Sequence, residues 1–396
     1  MKIERFEIAI PDADLAEMRR RLGETRWADD FGNADWRYGV ERGWLQDMVR
    51  FWRDAYDWRA EEARINRYPH FRTRIEGVPV HFLHVRGKRA PGAPAPTPLL
   101  LVHGWPWTFM DYFELIGPLT DPGAHGGDPA QAFDVVIPSL PGYAFSAPLE
   151  TAGLAIPQIA GLFSALMREG LGHARYGVAG GDWGAAITTH MAHAFPGEVI
   201  GVLATIPYFA GLNLMAITDA DYAADEKWML ARKAEAAAST MSHFVVQSTD
   251  PQTLAYALVD SPVGTAAWLW ERRRAWSDWD SDDLPARQRT ALCTLASILW
   301  LTGTIGSSMR TYWEHARAGG LPIAPLHDRS PAIEVPAGFA IFPKEVMLIP
   351  RGVAARGTNL RRWTLMGRGG HFGFADEPEA MARELRAFFG EIAIAG

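Results

Sequence analysis

One short segment of this sequence carries a residue that could act as a nucleophile. Residues 180–184 read Gly-Gly-Asp-Trp-Gly and follow an apolar run. This is the form G-x-D-x-G, a nucleophile elbow with Asp182 at its centre. The glycines let the chain turn so sharply that the central side chain is raised above the sheet. The same residues also suit an ordinary turn or helix cap, so the interpretation depends on the partners of Asp182.

A histidine and a carboxylate complete the set that such a nucleophile needs. His371 lies in Gly-Gly-His-Phe, between the last predicted strand and the last predicted helix, and follows Asp182 in the chain. Glu345 stands just after the strand GFAIFP. There it would hold the imidazole in one tautomer and stabilise its charged form. Asp328 and Glu334 are the competing candidates for the carboxylate.

Two backbone N–H groups could stabilise a negative oxygen that develops beside the nucleophile. The strand LLLVHG runs into His103-Gly104-Trp105-Pro106, where one half of an oxyanion hole would lie. The N–H groups of Trp105 and Trp183 would then converge on the oxygen. His103 either supports this loop or takes a direct part in the chemistry.

Alternating strand and helix patterns predict the scaffold that positions these residues. The segments FRTRIEG and VPVHFLHVRG predict a hairpin, and the apolar runs PLLLVHG, FDVVIPSL, YGVAGG and EVIGVLATIP follow with helices between them, one from Trp183 to Ala194. Such alternation is typical of a parallel, doubly wound α/β sheet. The sheet resumes with GFAIFP and RRWTLMG, and an amphipathic helix closes the chain.

Helical patterns precede the sheet and interrupt it. Apolar side chains recur at helical spacing through most of the first 65 residues. We therefore assign residues 1–70 to a helical N-terminal segment and residues 71–207 and 331–396 to the α/β core. Residues 208–330 form an inserted cap, which we expect to be helical throughout.

Composition argues against several classes of function. Hydrophobic residues make up 48% and charged residues 21% of the 396 residues, as in globular proteins. Acidic residues exceed basic ones by 46 − 39 = 7, so a nucleic-acid partner is not expected. Cys293 is the single cysteine, the start lacks the apolar stretch of a signal peptide, and no apolar run is long enough to span a bilayer. We expect a soluble, cytoplasmic protein without membrane anchor, metal or cofactor, and a homodimer is one possible assembly.

Taken together, these motifs resemble the microsomal-type epoxide hydrolases, which include juvenile hormone and enediyne-pathway members. The likeness runs nearly end to end, through RRRLGETRWADD, YDWRAEEARINRYPHFRTRIEGVPVHFLHVRG, HGWPWTFMDYFELI, SLPGYAFSAP, GGDWG, QSTDPQTLAYALVDSPVG and GRGGHFGFADEPE. The resemblance implies the α/β-hydrolase fold, with a mostly parallel eight-stranded sheet and helices on both faces. It also implies a soluble, bacterial-type enzyme that converts a lipophilic epoxide to a vicinal diol.

The family implies a mechanism in two steps. Asp182 attacks an epoxide carbon to form an alkyl-enzyme ester, and water activated by His371 with Glu345 hydrolyses that ester. An aspartate suits attack at a saturated carbon, because the resulting ester has a carbonyl that water can open, whereas serine would leave an inert ether. The substrate pocket would be lined by Trp105, Trp183 and Phe372.

The epoxide oxygen also needs a proton donor, and the family uses two cap tyrosines. Tyr312 in SSMRTYWEH matches one of them. The other is expected four residues before the glutamine of QSTDPQT, where this chain has His243. A neutral histidine can donate a hydrogen bond, and a His–Tyr pair resembles that of the Cif-type epoxide hydrolases. Alternatively, His243 packs in the cap and Tyr312 acts alone.

Two other functions fit parts of the sequence. A haloalkane or haloacid dehalogenase uses the same aspartate, and the indole N–H groups of Trp105 and Trp183 could bind its halide. A non-catalytic binding protein could share the fold. Tyr312, the cap segments and the N-terminal segment argue against a dehalogenase. The complete set of nucleophile, histidine and carboxylate argues against a binding protein.

Overall fold

A nine-stranded sheet runs through the computed structural model, which describes residues 1–89 and 91–395. The strands are β1 (Glu4–Phe6), β2 (His70–Ile75), β3 (Val78–Val85), β4 (Thr97–Val102), β5 (Phe133–Pro138), β6 (Tyr176–Gly180), β7 (Val199–Ala204), β8 (Ile333–Ile341) and β9 (Thr358–Leu365). Their order across the sheet is β1-β2-β3-β5-β4-β6-β7-β8-β9. The pairs from β1 to β5 are antiparallel, and those from β5 to β9 are parallel.

This topology confirms the predicted α/β fold with a mostly parallel sheet. The eight predicted strands correspond to β2 through β9, and the predicted hairpin is the antiparallel pair of β2 and β3. The predicted strand number was wrong by one, because β1 lies in the segment expected to be helical. Three residues are too few to show a strand period, and β1 forms through its pairing with β2, which joins Arg5 to Phe71.

Fourteen α-helices connect and flank these strands in the part of the chain that the structure describes. They are α1 (Asp12–Gly23), α2 (Arg42–Asp54), α3 (Trp58–Ile65), α4 (Ile116–Thr120), α5 (Ile156–Ala165), α6 (Trp183–Ala194), α7 (Trp228–Thr249), α8 (Pro251–Asp260), α9 (Pro262–Trp276), α10 (Ala286–Leu301), α11 (Ile305–Arg317), α12 (Arg351–Gly357), α13 (Gly373–Asp376) and α14 (Pro378–Ala395). Helix α6 has the bounds that the sequence predicts. It packs against β6 and β7, while α14 packs against β7 and β8.

Helices α7 to α11 form the cap, inserted between β7 and β8. The prediction of helix throughout residues 208–330 was too broad, because residues 208–227 hold only short 3₁₀ turns and residues 318–330 hold no helix. The second of these stretches contains Gly319, Gly320, Pro322 and Pro325, residue types that disfavour continuous helix. The domain boundaries at residues 70, 207 and 330 stay predictions.

The N-terminal helices hold the cap in place. Trp52 on α2 donates its indole N–H to the Ser297 hydroxyl on α10 over 2.9 Å and packs against the ring of Trp270 on α9. The Tyr56 hydroxyl bonds to that of Thr294 over 3.0 Å. Both tryptophans are buried, with exposed fractions of 1% for Trp52 and 0% for Trp270. The N-terminal segment therefore fixes the cap relative to the sheet.

No single helix of the described residues is both long and apolar enough to cross a membrane. Helices α10 and α11 meet these criteria only when taken together, and that pair is bent by 83° at the break between them.

Candidate active site

The predicted nucleophile elbow forms where β6 passes into α6. Asp182 lies between the two elements with φ 52° and ψ −129°, in the positive-φ region that a residue other than glycine rarely occupies. A side chain at Gly184 could not be accommodated, since its Cβ would lie 1.8 Å from the carbonyl oxygen of Val102. The neighbouring backbone thus holds Asp182 in a strained conformation of the kind that clusters at functional sites.

The structure brings His371 and Glu345 to this aspartate. Nε2 of His371 lies 3.2 Å from Oδ2 of Asp182, and Nδ1 lies 2.6 Å from Oε1 of Glu345. Oε1 of Glu345 also accepts the backbone N–H groups of Val346 and Met347, which fix the carboxylate in its buried position. The contact with Asp182 is one of charge and is not aligned as a hydrogen bond. Glu345 therefore orients the imidazole from one side, and the other side of the ring faces Asp182.

The competing carboxylates lie elsewhere. Asp328 is exposed, and Glu334 forms an ion pair with Arg329 on the surface. Of the three candidates, Glu345 is the one that contacts His371.

The charge on His371 depends on its two carboxylate neighbours. Burial disfavours the imidazolium, but the negative charges of Glu345 and Asp182 outweigh burial and raise the pKa of His371 to about 10. The imidazolium is therefore the stable form as long as Asp182 is ionised. Removal of the charge on Asp182 would lower this pKa.

The loop after β4 supplies a hydrogen-bond donor to Asp182. Trp105 donates its backbone N–H to Oδ1 of Asp182 over 2.7 Å. This approach requires Gly104, because a Cβ at that position would lie 2.1 Å from the same oxygen. Among the described residues the Asp182 side chain accepts no hydrogen bond from the first N–H groups of α6, where Trp183 lies. The geometry therefore supports the Trp105 half of the predicted oxyanion hole, and the Trp183 half stays a prediction.

His103 supports this loop. Its Nε2 accepts the backbone N–H of Leu140 over 3.0 Å, and Nδ1 donates to the carbonyl of Gly104 over 2.9 Å. Burial lowers the pKa of His103 to about 4, so the ring is neutral with both nitrogens occupied. This arrangement favours the supporting role of the two considered.

Tyr312 and His243 lie together beside the two tryptophans that flank Asp182. The ring of Tyr312 on α11 meets those of Trp183 at 4.8 Å and His243 at 5.5 Å between centroids. His243 on α7 stacks on Trp105 at 5.1 Å with an interplanar angle of 7°. Its buried Nδ1 has no partner among the described residues, and burial lowers the pKa of His243 to about 3. Burial raises the pKa of Tyr312 well above its ordinary value, so both side chains are neutral, and both lie close to these two tryptophans.

Two tryptophans of the site were missed in the sequence. Trp107 and Trp276 pack edge-on against the His371 ring, at centroid distances of 5.8 and 5.2 Å. Trp276 also accepts the His371 backbone N–H on its carbonyl oxygen over 2.8 Å. Trp107 belongs to the HGWPWTF segment, which could have indicated it, whereas Trp276 ends a cap helix without any local motif.

Phe372 lies behind the histidine. Its ring is fully buried and packs against Trp107 and Trp276, and the guanidinium of Arg273 lies 3.8 Å from its centroid. These contacts make it a support for the site, and its predicted place in the substrate pocket stays a prediction.

Known proteins resemble this chain in sequence and in structure. The family described as "Epoxide hydrolase N terminus" matches residues 3–112, and that described as "alpha/beta hydrolase fold" matches residues 97–244. A Stigmatella aurantiaca protein that carries an epoxide hydrolase name is 37% identical over 98% of this chain and 84% of its own length. Epoxide hydrolase 1 of Sus scrofa is 33% identical over 98% of this chain and 88% of its own.

A solved structure extends the comparison to three dimensions. The juvenile hormone epoxide hydrolase of the silkworm Bombyx mori superimposes with a TM-score of 0.86 and 27% identity. The alignment covers 100% of this chain and 95% of that one. The likeness therefore includes the N-terminal segment, the core and the cap.

Proposed function

We propose a covalent, two-step mechanism for this chain, which belongs to the microsomal-type epoxide hydrolase family and is an epoxide hydrolase. The observation that carries the proposal is the placement of the Asp182 carboxylate. It lies between a backbone donor on one side and the His371 imidazole on the other. The proposed substrate is a lipophilic epoxide, because the tryptophans around the carboxylate offer it an apolar surface.

In the first step Oδ2 of Asp182 attacks an epoxide carbon. Oδ1 is held by the N–H of Trp105, so Oδ2 is the oxygen that is free to form the new bond. The carbon–oxygen bond of the epoxide breaks, and the ring oxygen takes up the electron pair. Oδ1 becomes the carbonyl oxygen of the ester and keeps its backbone donor.

Tyr312 and His243 act on the departing epoxide oxygen. Both are neutral and lie beside the tryptophans that flank the nucleophile. Because negative charge develops on the oxygen during ring opening, donors placed there stabilise the transition state more than the bound substrate. Tyr312 delivers the proton, and His243 donates a second hydrogen bond.

In the second step His371 activates water. Ester formation neutralises Asp182, which removes one of the two charges that raise the pKa of His371. The imidazolium then gives up its proton, which returns Tyr312 to the neutral phenol, and Nε2 can accept a proton from water while Glu345 stabilises the imidazolium that forms again. Water attacks the carbonyl carbon, and the N–H of Trp105 bonds to the oxyanion on Oδ1. The bond from this carbon to Oδ2 then breaks, and the departing oxygen takes the proton of the new carboxyl group, so that the diol leaves and Asp182 is again a carboxylate.

One observation keeps the dehalogenase alternative open to test. The indole Nε1 atoms of Trp105 and Trp183 are buried and have no partner among the described residues, as a halide site would require. Membership of the epoxide hydrolase family argues against this reaction. Bromoalkane turnover measured beside styrene oxide turnover would separate the two activities.

A single turnover in ¹⁸O-labelled water tests the covalent mechanism. Enzyme in excess over styrene oxide should release a diol without ¹⁸O, because the diol takes its new oxygen from Oδ2 of Asp182. The label should instead appear in the Asp182 peptide by mass spectrometry. A labelled diol in the first turnover would mean that water attacks the epoxide directly, and the proposal would then be wrong.

A further inference from the structure

Three side chains with metal-binding atoms meet at the end of the sheet opposite the active site. His84 lies near the end of β3, Asp134 lies near the start of β5, and His173 lies in the loop before β6. One ligand atom from each lies within 4.8 Å of the other two. Strand β6 begins just after His173 and ends just before Asp182, so the cluster and the nucleophile occupy opposite edges of the sheet.

The two histidines have nitrogens without hydrogen-bond partners. Nε2 of His84 and Nε2 of His173 are both buried and have no partner among the described residues. His84 is 8% exposed, and its ring meets that of His173 edge-on with 5.9 Å between centroids. Buried polar groups are nearly always paired, so two unpaired imidazole nitrogens beside one carboxylate indicate a missing partner.

The carboxylate of Asp134 is already oriented toward this cluster. Its Oδ1 accepts the backbone N–H of Gly87 over 2.8 Å, and its Oδ2 accepts from Nη1 of Arg86 over 2.7 Å. The side chain of Asp134 is only 11% exposed, whereas that of Arg86 is 65% exposed. The arginine can therefore move into solvent and leave Oδ2 available.

We propose that His84, Asp134 and His173 form a binding site for a divalent transition-metal ion such as Zn²⁺. Two imidazole nitrogens and one carboxylate oxygen are ligands that such ions prefer, and solvent would complete the coordination through the partly exposed side of His173. The ion would join β3, β5 and the loop before β6. Since a ligand that binds only the folded state stabilises it, this site acts on stability.

The proposal is tested on chelator-treated, tag-free protein with Zn²⁺ and Co²⁺ as probes. Zn²⁺ should raise the thermal midpoint of unfolding and saturate at one equivalent, and Co²⁺ should give visible absorption bands. His173→Gln should weaken binding at least about tenfold, since loss of even an outer partner of a metal ligand costs that much. His125→Gln, which changes an exposed histidine, should leave the binding of both ions unchanged.

A second substitution distinguishes this site from adventitious binding. Arg86→Gln removes the side chain that competes for Oδ2 of Asp134, so it should tighten Zn²⁺ binding while epoxide turnover stays unchanged. His84→Gln should abolish the effects of both ions, and if that variant does not fold, His173→Gln at the partly exposed position decides. The absence of a shift in the unmodified protein would overturn the proposal, as would an undiminished shift in His173→Gln.

Discussion

Oδ1 of Asp182 accepts the backbone N–H of Trp105 over 2.7 Å, whereas Oδ2 of the same carboxylate lies 3.2 Å from Nε2 of His371. The two oxygens are therefore not equivalent. Oδ1 is held by a fixed backbone donor, which suits the carbonyl oxygen of the proposed ester. Oδ2 faces a titratable ring and suits the oxygen that forms and later breaks the bond to the substrate.

Asp182→Asn should abolish turnover without unfolding the protein. The amide is nearly the same size and can still accept the N–H of Trp105, but it is a poor nucleophile. We expect the rate to fall by roughly 10⁴- to 10⁶-fold, the loss seen when a nucleophilic set is disabled. Steady-state kinetics and circular dichroism would check both points. Activity in a fresh preparation that mass spectrometry shows to be free of deamidation would contradict the nucleophilic role.

His371→Gln should trap the alkyl-enzyme. Attack by Asp182 needs only the carboxylate, whereas hydrolysis of the ester needs a base, so the intermediate should accumulate. Intact-protein mass spectrometry after addition of styrene oxide should show one added substrate mass. Asp182→Asn is the matched control and should show none. If the His371 variant forms no adduct while the unmodified enzyme turns over, the histidine has no separate part in the second step.

The proton donors can be separated by single-turnover measurements of ester formation. Tyr312→Phe should slow ester formation strongly. His243→Ala should raise the activation free energy of this step by roughly 1–3 kcal/mol, the cost of a buried polar group that has lost its partner. His243→Tyr should restore much of the rate, because it recreates the tyrosine pair of the family. Ester formation at the normal rate in His243→Ala would instead assign His243 to cap packing and leave Tyr312 to act alone.

The sequence was informative wherever function imposes a local pattern. Asp182 stands in a glycine-rich turn, and His371 and Glu345 follow strands that end at one edge of a parallel sheet, so topology alone brings them together. The structure places all three in contact as expected, although their chemical roles stay predictions.

Residues without a local pattern could not be found in this way. Trp276 and Arg273 reach the site from the end of a cap helix, and nothing in their neighbourhood fixes where that helix docks. The three-residue strand β1 depends on pairing with β2, whose partner residues lie 64 to 68 positions later in the chain. The cluster of His84, Asp134 and His173 likewise forms from three distant segments.

Stability should depend on pH through His371. Its pKa is raised from the ordinary value of 6.5 to about 10, with burial opposing and the two carboxylates favouring the charged ring. A raised pKa in the folded state gives stabilisation that is complete below about pH 6.5 and lost as pH rises through about 10. The free energy of unfolding should therefore fall across that interval.

Asp182→Asn provides the comparison for this pH dependence. It removes one of the two charges, so the pKa of His371 should fall and its stabilisation should be lost at lower pH than in the unmodified protein. Urea unfolding at a series of pH values would measure both curves. Curves of the same shape would show that Asp182 does not control the proton on His371, and the proposed release of the base by ester formation would then fail.

The buried ion pair between Arg273 and Asp111 joins the cap to the core behind the active site. Nη1 of Arg273 lies 2.5 Å from Oδ1 of Asp111, and the guanidinium covers the ring of Phe372, next to His371. Asp111 also accepts the backbone N–H of Thr108 on Oδ2, over 2.9 Å. The pair is therefore placed to fix both the cap and the loop that carries His371.

Arg273→Met should destabilise the protein by roughly 3–5 kcal/mol, because it leaves Asp111 as a buried charge without its partner. Asp111→Asn removes that charge but keeps an acceptor for Thr108, so the double variant should recover a large part of the loss. Urea unfolding would give the coupling between the two residues, and ester hydrolysis by the double variant would report on the position of His371. If the two single effects simply add, the pair is not coupled, and the link from cap to histidine loop must run through packing of Phe372 alone.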